Sequence, residues 1–471
     1  MYQQVPEYYY DISERVSTIL DVIGYSQKDR DRKIMCATAS EVFSTMGKNF
    51  IDGNLRFYQV GSRGESSTGP GLKSDRDELF VDKRFRAVTD LSDCDPGKMN
   101  FLMVHDEYTH PGYVKLQCVD ILPDNTPLPV FHRQGYDLLV DSYVKQQCVD
   151  ILPDNTPHPV FHREGCDILV DTYGRSVLSN QFICNILTDR DRIVSGPALH
   201  FKSNTKELCV DYVFVIRCAQ WPNEAHEWFQ RRRLYAWPKS NDLQNGRKDG
   251  CFVAAVGHHI CREPSRDWRL SFSFTERRLI RSFEETVMKV YVLLKMIRKT
   301  YIEPFLDDAF SSYHCKVCIL WVRENTPPEL WTTKNLLCCL TLCIKQLHEW
   351  ASMGYCPDYF IVTNNIYDRK LFGSAQFILT SLLGDLLSSE CHMLLGIKCC
   401  NFGQLLLHDS TSLDFIRTPR TIVRNVNVEQ LIDYHLCVNA ANTCRTDMLR
   451  GIPQEYNIMT KWIRKIKDAL Q

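Results

Sequence analysis

The run Glu207-Leu-Cys-Val-Asp211-Tyr-Val-Phe-Val-Ile216 carries apolar, β-branched or aromatic residues at nearly every position after Glu207, with one carboxylate in their midst. That is the pattern of a strand buried on both faces. An ionised acid cannot stay alone in such surroundings: it shifts its pKa, finds a cation or binds metal. One reading pairs Asp211 with a nearby Arg or Lys. The other makes it a metal ligand, and that reading needs further acids elsewhere in the chain.

They occur between Gly61 and Asp77, in Gly-Ser-Arg-Gly-Glu-Ser-Ser-Thr-Gly-Pro-Gly-Leu-Lys-Ser-Asp-Arg-Asp. In an extended strand, Asp75 and Asp77 point the same way, about 7 Å apart along the backbone, and Arg76 points oppositely. The glycines let backbone N–H groups approach a triphosphate, and Ser62 adds a hydroxyl. Short polar turns entering strands are common, so this segment alone is a weak signal. With Asp211 it makes three carboxylates, a hard oxygen donor set suited to Mg²⁺ or Mn²⁺, which phosphoryl transfer uses to neutralise charge on reacting oxygens.

The Gly61-Ser62 turn, Ser74-Asp75-Arg76-Asp77, and the Val210-Asp211 strand ending in Trp221-Pro222 resemble the Mab-twenty-one family, which includes cyclic GMP-AMP synthase and the cGAS-like receptors. Asp267-Trp-Arg-Leu-Ser-Phe-Ser-Phe-Thr-Glu276 and Phe310-Ser-Ser-Tyr-His-Cys-Lys316 are similar to that family's later motifs, and together the matches cover most of residues 55–365. The resemblance implies an α+β, bilobed nucleotidyltransferase fold: an N-terminal mixed β-sheet lobe with spine helices, then an all-helical, helix-hairpin-helix-like lobe. It implies Mg²⁺ or Mn²⁺ at Asp75, Asp77 and Asp211, with Asp211 also taking a proton from the attacking hydroxyl. Gly61, Ser62, Lys295 and Ser312 would meet donor phosphates, Arg269 the acceptor base, Tyr313 would stack on a base, and Glu276 would complete the pocket. ATP and GTP are the implied substrates, a cyclic dinucleotide the product, and double-stranded nucleic acid a possible activator. The bland alternatives are a surface ion pair for Arg269, a core aromatic for Tyr313 and a snorkelling amine for Lys295.

Three departures bear on activity. Arg76 stands where the family has an apolar residue, Val213 where the vertebrate synthase has a hydroxyl, and no His-x-Cys-Cys insertion lies between Phe274 and Lys295. A catalytically inactive nucleotide-binding scaffold is therefore the main alternative, and a terminal nucleotidyltransferase acting on RNA a lesser one. A tandem duplication bears on the same alternative: residues 113–142 and 143–172 agree at twenty-four of thirty positions. Each copy reads as strand, turn, strand, so one copy is expected in the sheet, and the other can disturb the meeting of Asp75-Asp77 with Asp211.

The expected organisation is helices packing on the core over 1–54, the nucleotidyltransferase core over 55–258, a helical domain over 259–365 and further helices over 366–471. Within it, 8–48 and 333–353 read as helical, 279–300 as a continuous apolar helix, and 239–249 as a polar connection. The start lacks a basic and apolar leader, and Asp385, Glu390 and His392 interrupt the apolar stretch 371–397, which fits a buried helix or helix pair better than a membrane span. Twenty-one cysteines without a leader point to reduced thiols in the cytoplasm, and their spacing, with the lone Cys315-x-x-Cys318, gives no expectation of structural zinc. A formal net charge of −1 excludes a global basic field. Arg231-Arg-Arg233 and Arg277-Arg278 with Arg281 remain as a candidate phosphate-binding surface or as solubilising charge. Oligomeric state is not legible.

Overall fold

The computed structural model describes residues 7–49, 53–69, 71–72, 76–122, 124–131, 168–181, 193–195, 198–202, 209–258, 261, 263–368 and 370–407. It is an α+β architecture: a large mixed sheet dominates up to Ser271, and helices dominate after it. The strands are β1 (Leu55–Val60), β2 (Arg76–Asp82), β3 (Phe85–Val88), β4 (Met99–Val104), β5 (Tyr113–Ile121), β6 (Pro127–Pro129) and β7 (Ile168–Val170). They continue as β8 (Ser176–Leu178), β9 (Ile193–Ser195), β10 (Ala198–Lys202), β11 (Cys209–Cys218), β12 (Cys251–Ala254) and β13 (Trp268–Ser271). The main path runs β1-β2-β11-β12-β13-β5-β4-β3, and a bridge from Ala87 to Cys218 brings β3 back to β11.

β11, the apolar run with the buried acid, sits inside this path. Its Phe214 and Ile216 face the main core, while Val215 joins Val60, Leu79, Val81, Phe252 and Ala254 in a smaller cluster. Burial on both faces is what the continuous β-branched and aromatic pattern requires. β2 lies alongside in parallel, from Val210 opposite Arg76 to Val215 opposite Val81.

Ahead of the sheet, Glu7–Leu20 and Gln27–Asn49 are helices joined at Gly24, whose φ of 95° turns the chain between them. The expected continuous helix over 279–300 is broken. Ser273–Arg281 and Glu285–Ile297 are separate helices, because Glu284 is extended at ψ 158°. The second is buried on every side from Thr286 to Ile297, as an interior helix must be. The expected connection at 239–249 is also corrected: Ser240–Asp249 is a helix. Its apolar signal is missing because it packs through backbone, with the Gly246 carbonyl accepting from Trp221 Nε1 at 2.8 Å and Gly246 set against Trp228 and Thr275.

The helical half is pinned by charge as well as by apolar packing. Glu324, at the end of the helix Ser312–Glu324, is buried among Arg231, Arg233 and the Tyr359 hydroxyl, which donates to it at 2.6 Å. Arg231 also stacks on the Trp321 and Tyr359 rings. The stretch 371–397 is a helix, Ser374–Ser388, bent by 107° into Glu390–Gly396, and no single described helix is long and apolar enough to cross a membrane.

The duplication contributes one composite unit. The sheet takes β5 and β6 from the first copy and β7 from the tail of the second, and Phe131 of the first bridges Arg175 just past the second. Residues 132–167 lie outside the described residues.

Replacing Glu324 by Leu leaves two buried guanidinium groups without their counter-ion, and we expect a loss of about 3–5 kcal/mol. Glu324→Gln, which keeps the hydrogen bond with Tyr359, should lose less. Urea midpoints with an unchanged slope would verify this order.

Candidate active site

The parallel register sets Asp77 directly opposite Asp211, so both side chains leave the same face of the sheet from strands about 4.8 Å apart. Asp211 Oδ1 is out of solvent. Asp75 lies outside the described residues, as does the Arg76 side chain.

The Gly61-Ser62 turn is built against this pair. Val60 pairs with Asp77, and the chain then turns through Gly61 at φ 61° into the short helix Gly61–Gly64. A Cβ on Gly61 would stand 2.1 Å from Asp77 Oδ2, so only glycine lets the turn lie against the carboxylate. Lys295, on the interior helix Glu285–Ile297, joins Ser62 directly: its Nζ donates to Ser62 Oγ at 2.9 Å and to Ser67 O at 3.1 Å. Lys295 is therefore a buried group at the turn and no snorkelling amine. Burial lowers its pKa to about 8, against the pull of Glu65.

A second lysine, missed from the sequence although it closes the quoted Phe310–Lys316 motif, crosses between the halves. Lys316 Nζ lies 2.5 Å from Glu65 Oε1 and 2.8 Å from Glu276 Oε2. Burial alone would lower its pKa, but the Glu276 and Glu65 carboxylates outweigh burial and hold it well above the usual lysine value. Glu276 is thus engaged by Lys316 rather than open to a ligand. Ser312 stands at the first position of its helix, where Ser311 caps by accepting from Tyr313 N and His314 completes the capping box. Tyr313 donates its hydroxyl to Asp358 at 2.9 Å, with the ring half-buried. Asp358 is in turn fixed by the Phe360 and Ile361 amides.

Arg269 is exposed on β13. Val215 pairs with Ala254, Ala254 with Arg269 and Arg269 with Tyr113, which places Arg269 on the same sheet face as Asp77 and Asp211. Two strands and four residues separate it from Asp211, roughly 15 Å. Most arginines of the two clusters are engaged by protein partners, while Arg232 stays exposed. Arg277 is paired with Glu41, Arg278 holds Asp249 through both nitrogens, Arg281 donates to the Gly64 carbonyl, and Arg231 and Arg233 clamp Glu324. Sequence cannot distinguish these, because their partners lie far away in the chain.

Residues 102–282 match the Mab-21 protein nucleotidyltransferase domain, and residues 286–380 match the Mab-21 protein HhH/H2TH-like domain. The chain belongs to the Mab-21 family. A relative among curated proteins is the cyclic GMP-AMP synthase of Mus musculus, 24% identical over 191 residues, covering 36% of each chain. The match thus spans about a third of that relative's length. Mab-21 similarity begins after Gly61, Ser62 and Asp77, so it is the pairing of β2 with β11 that attaches these residues to the matched domain. The seam between the two matched domains falls at the break between Arg281 and Glu285. Nucleotidyltransferases of this kind use divalent metals, and the paired aspartates supply oxygen donors appropriate to them.

Gly61→Ala should push the Asp77 carboxylate away and strain a left-handed residue, costing roughly 1–2 kcal/mol of stability. We expect nucleotide-dependent turnover to fall on the order of 100-fold. Thermal melting and initial rates measured together would separate the two effects.

Proposed function

We propose that this Mab-21 nucleotidyltransferase joins ATP and GTP, or like nucleotides, into a cyclic dinucleotide second messenger, triggered by double-stranded nucleic acid in innate immune signalling. The observation that carries the reading is the register of Asp77 against Asp211, with Gly61 fitted to Asp77 and Ser62 held by Lys295. The free thiols of the described cysteines fit a reducing compartment, and we assign the cytoplasm.

The residues fit Mg²⁺ or Mn²⁺. The proposed ligands are Asp75, Asp77 and Asp211, all hard oxygen donors, and the glycine at 61 lets the Asp77 carboxylate lie against the Gly61-Ser62 turn. When bound, such ions neutralise charge on the phosphates and favour the hydroxyl's ionisation. Asp211 takes the proton of a ribose hydroxyl. The oxygen forms its bond to the α-phosphorus as the bond to the β-phosphate breaks, and pyrophosphate leaves. Ser62, Lys295 and Ser312 hold the phosphates. Tyr313, its hydroxyl tied to Asp358, offers a ring face to a base, and Arg269 reaches the acceptor from its place on the same sheet face. A second round with the substrates exchanged closes the ring. For a nucleotide to use Glu276, Lys316 must release it, so the Glu65–Lys316–Glu276 bridge is a contact that activation would rearrange.

Labelled ATP and GTP with Mg²⁺ or Mn²⁺ and double-stranded RNA or DNA test the reading. We expect a small phosphatase-resistant product, absent from Asp75→Asn/Asp77→Asn. Nucleotide binding without product under any activator would replace it with the scaffold reading, and lengthened RNA would replace it with terminal transfer.

Lys295 makes the binding step depend on pH. With its folded pKa at about 8, the free protein loses the ammonium above that pH, while burying the ammonium costs stability below it, a cost relieved as pH rises toward the ordinary value of 10.5. A triphosphate favours the charged form and takes up a proton on binding there. Nucleotide affinity should therefore fall as pH passes above about 8, and Lys295→Arg should flatten that fall. Calorimetric titrations at several pH values in buffers of different ionisation enthalpy would measure both.

A further inference from the structure

Three segments remote in sequence meet at a cluster outside the proposed catalytic residues. His110 precedes β5, His258 follows β12, and Asp368 belongs to the stretch after the helix Leu336–Met353. One ligand-capable atom from each lies within 4.8 Å of the others. His110 Nε2 is 2.9 Å and His258 Nε2 3.6 Å from the same oxygen, Asp368 Oδ2. The two imidazoles stack with centroids 3.7 Å apart, and Tyr113 packs edge-on against both.

The contacts converging on Asp368 Oδ2 suit a shared cation. His110 Nδ1 lies 3.0 Å from the Pro111 carbonyl, which can only accept, so Nδ1 carries the proton. In the neutral ring, Nε2 then presents a lone pair to a carboxylate oxygen. Two lone pairs at that distance need either a second proton or a metal ion between them. Asp368 Oδ2 is out of solvent and accepts no hydrogen bond of normal geometry, despite the short approach. A proton also serves only one nitrogen, whereas two face this oxygen.

We propose that His110, His258 and Asp368 bind one divalent ion of the zinc class, distinct from the ions proposed at Asp77 and Asp211. Neighbouring ligands on a tetrahedral ion with bonds of 2.0–2.1 Å stand about 3.3 Å apart, and the two observed separations bracket that figure. Imidazole selects zinc over magnesium or calcium, and the Nδ1 contact to a backbone carbonyl is the usual support of a metal-bound histidine. A water takes the fourth position. A cavity of about 520 Å³ lined in part by Asn365, Tyr367, Asp368 and Leu371 adjoins the cluster at Asp368. Binding splays the stacked rings, since nitrogens on one tetrahedral ion diverge.

The ion would staple the sheet to the helical half. His110 and His258 flank the β5–β13 edge, where Tyr113 pairs with Arg269, and Asp368 comes from the far side. The contact is already close: a Cβ on Gly112 would stand 2.8 Å from Asn364 Nδ2. Zinc here would revise the expectation of no structural zinc, which rested on cysteine spacing and took no account of histidines brought together by the fold.

The full chain, stripped with chelator and titrated with Zn²⁺ alone, should bind about one ion that His110→Gln/His258→Gln and the conservative Asp368→Asn each weaken by roughly tenfold or more. Zn²⁺ should raise the melting temperature of the wild type and of Asp77→Asn, and Co²⁺ in its place should show no thiolate charge-transfer band. Far-ultraviolet circular dichroism checks that the variants fold. Equal zinc in wild type and Asp368→Asn, a thiolate band, or a melting temperature that follows pH but ignores zinc would each overturn the proposal.

Discussion

The parallel pairing of β2 with β11 is the contact on which the rest of the site depends, and at its start it sets two acids face to face. Asp77 and Asp211 stand directly opposite one another, and two ionised carboxylates so placed would weaken a sheet. The same two strands recover the loss further along. Leu79 and Val81 of β2 and Val215 of β11 are buried in one cluster, and Phe80 packs on Phe214 across the other face. A one-residue slip would turn every one of these side chains to the opposite face, so the apolar half of the ladder fixes the register of the acidic half. The strands stay together for reasons of packing and thereby hold two carboxylates where a cation can use them.

The second layer of constraint is the pair of buried lysines. Lys295 and Lys316 both enter from the helical half, and both meet the segment just after the Gly61 turn, at Ser62 and Ser67 for one and at Glu65 for the other. Buried ion pairs contribute little net stability, because desolvation offsets most of their attraction, but breaking one by removing a partner is costly. Their effect is on arrangement: moving the turn beside Asp77 takes Ser62 and Ser67 from Lys295 and Glu65 from Lys316, which keeps only Glu276. The halves are therefore registered on each other by polar contacts at the cleft and by apolar packing behind it.

What the sequence discloses follows the range of the interactions. Asp211 was legible because one acid in an apolar strand is a local anomaly, and Ser62 and Asp77 because turn and alternation are local patterns. The helix Ser240–Asp249 was illegible because its packing rests on Leu243 alone among large apolar residues and on the Gly246 backbone. Arg277 and Arg281 read as surface charge, yet their partners Glu41 and Gly64 lie more than two hundred residues away. His110, His258 and Asp368 carry no spacing signal at all, since each comes from a different segment. Asp75, central to the sequence argument, lies outside the described residues, and its share in the site rests on alternation from Asp77.

The duplication seemed able to part the acids, since Asp77 precedes it and Asp211 follows it. The sheet shows why it does not. Phe131 of the first copy is bridged to Arg175, just past the second, so these two points of the chain are neighbours in the sheet. Because the repeats are nearly identical, the front of one and the tail of the other make an intact unit whichever copy is counted as the addition. β5 then keeps its pairing with β13, and through β13 and β12 with β11. The described strands of the repeat join the sheet at β5 and beyond it, and the β2–β11 pairing is formed without them.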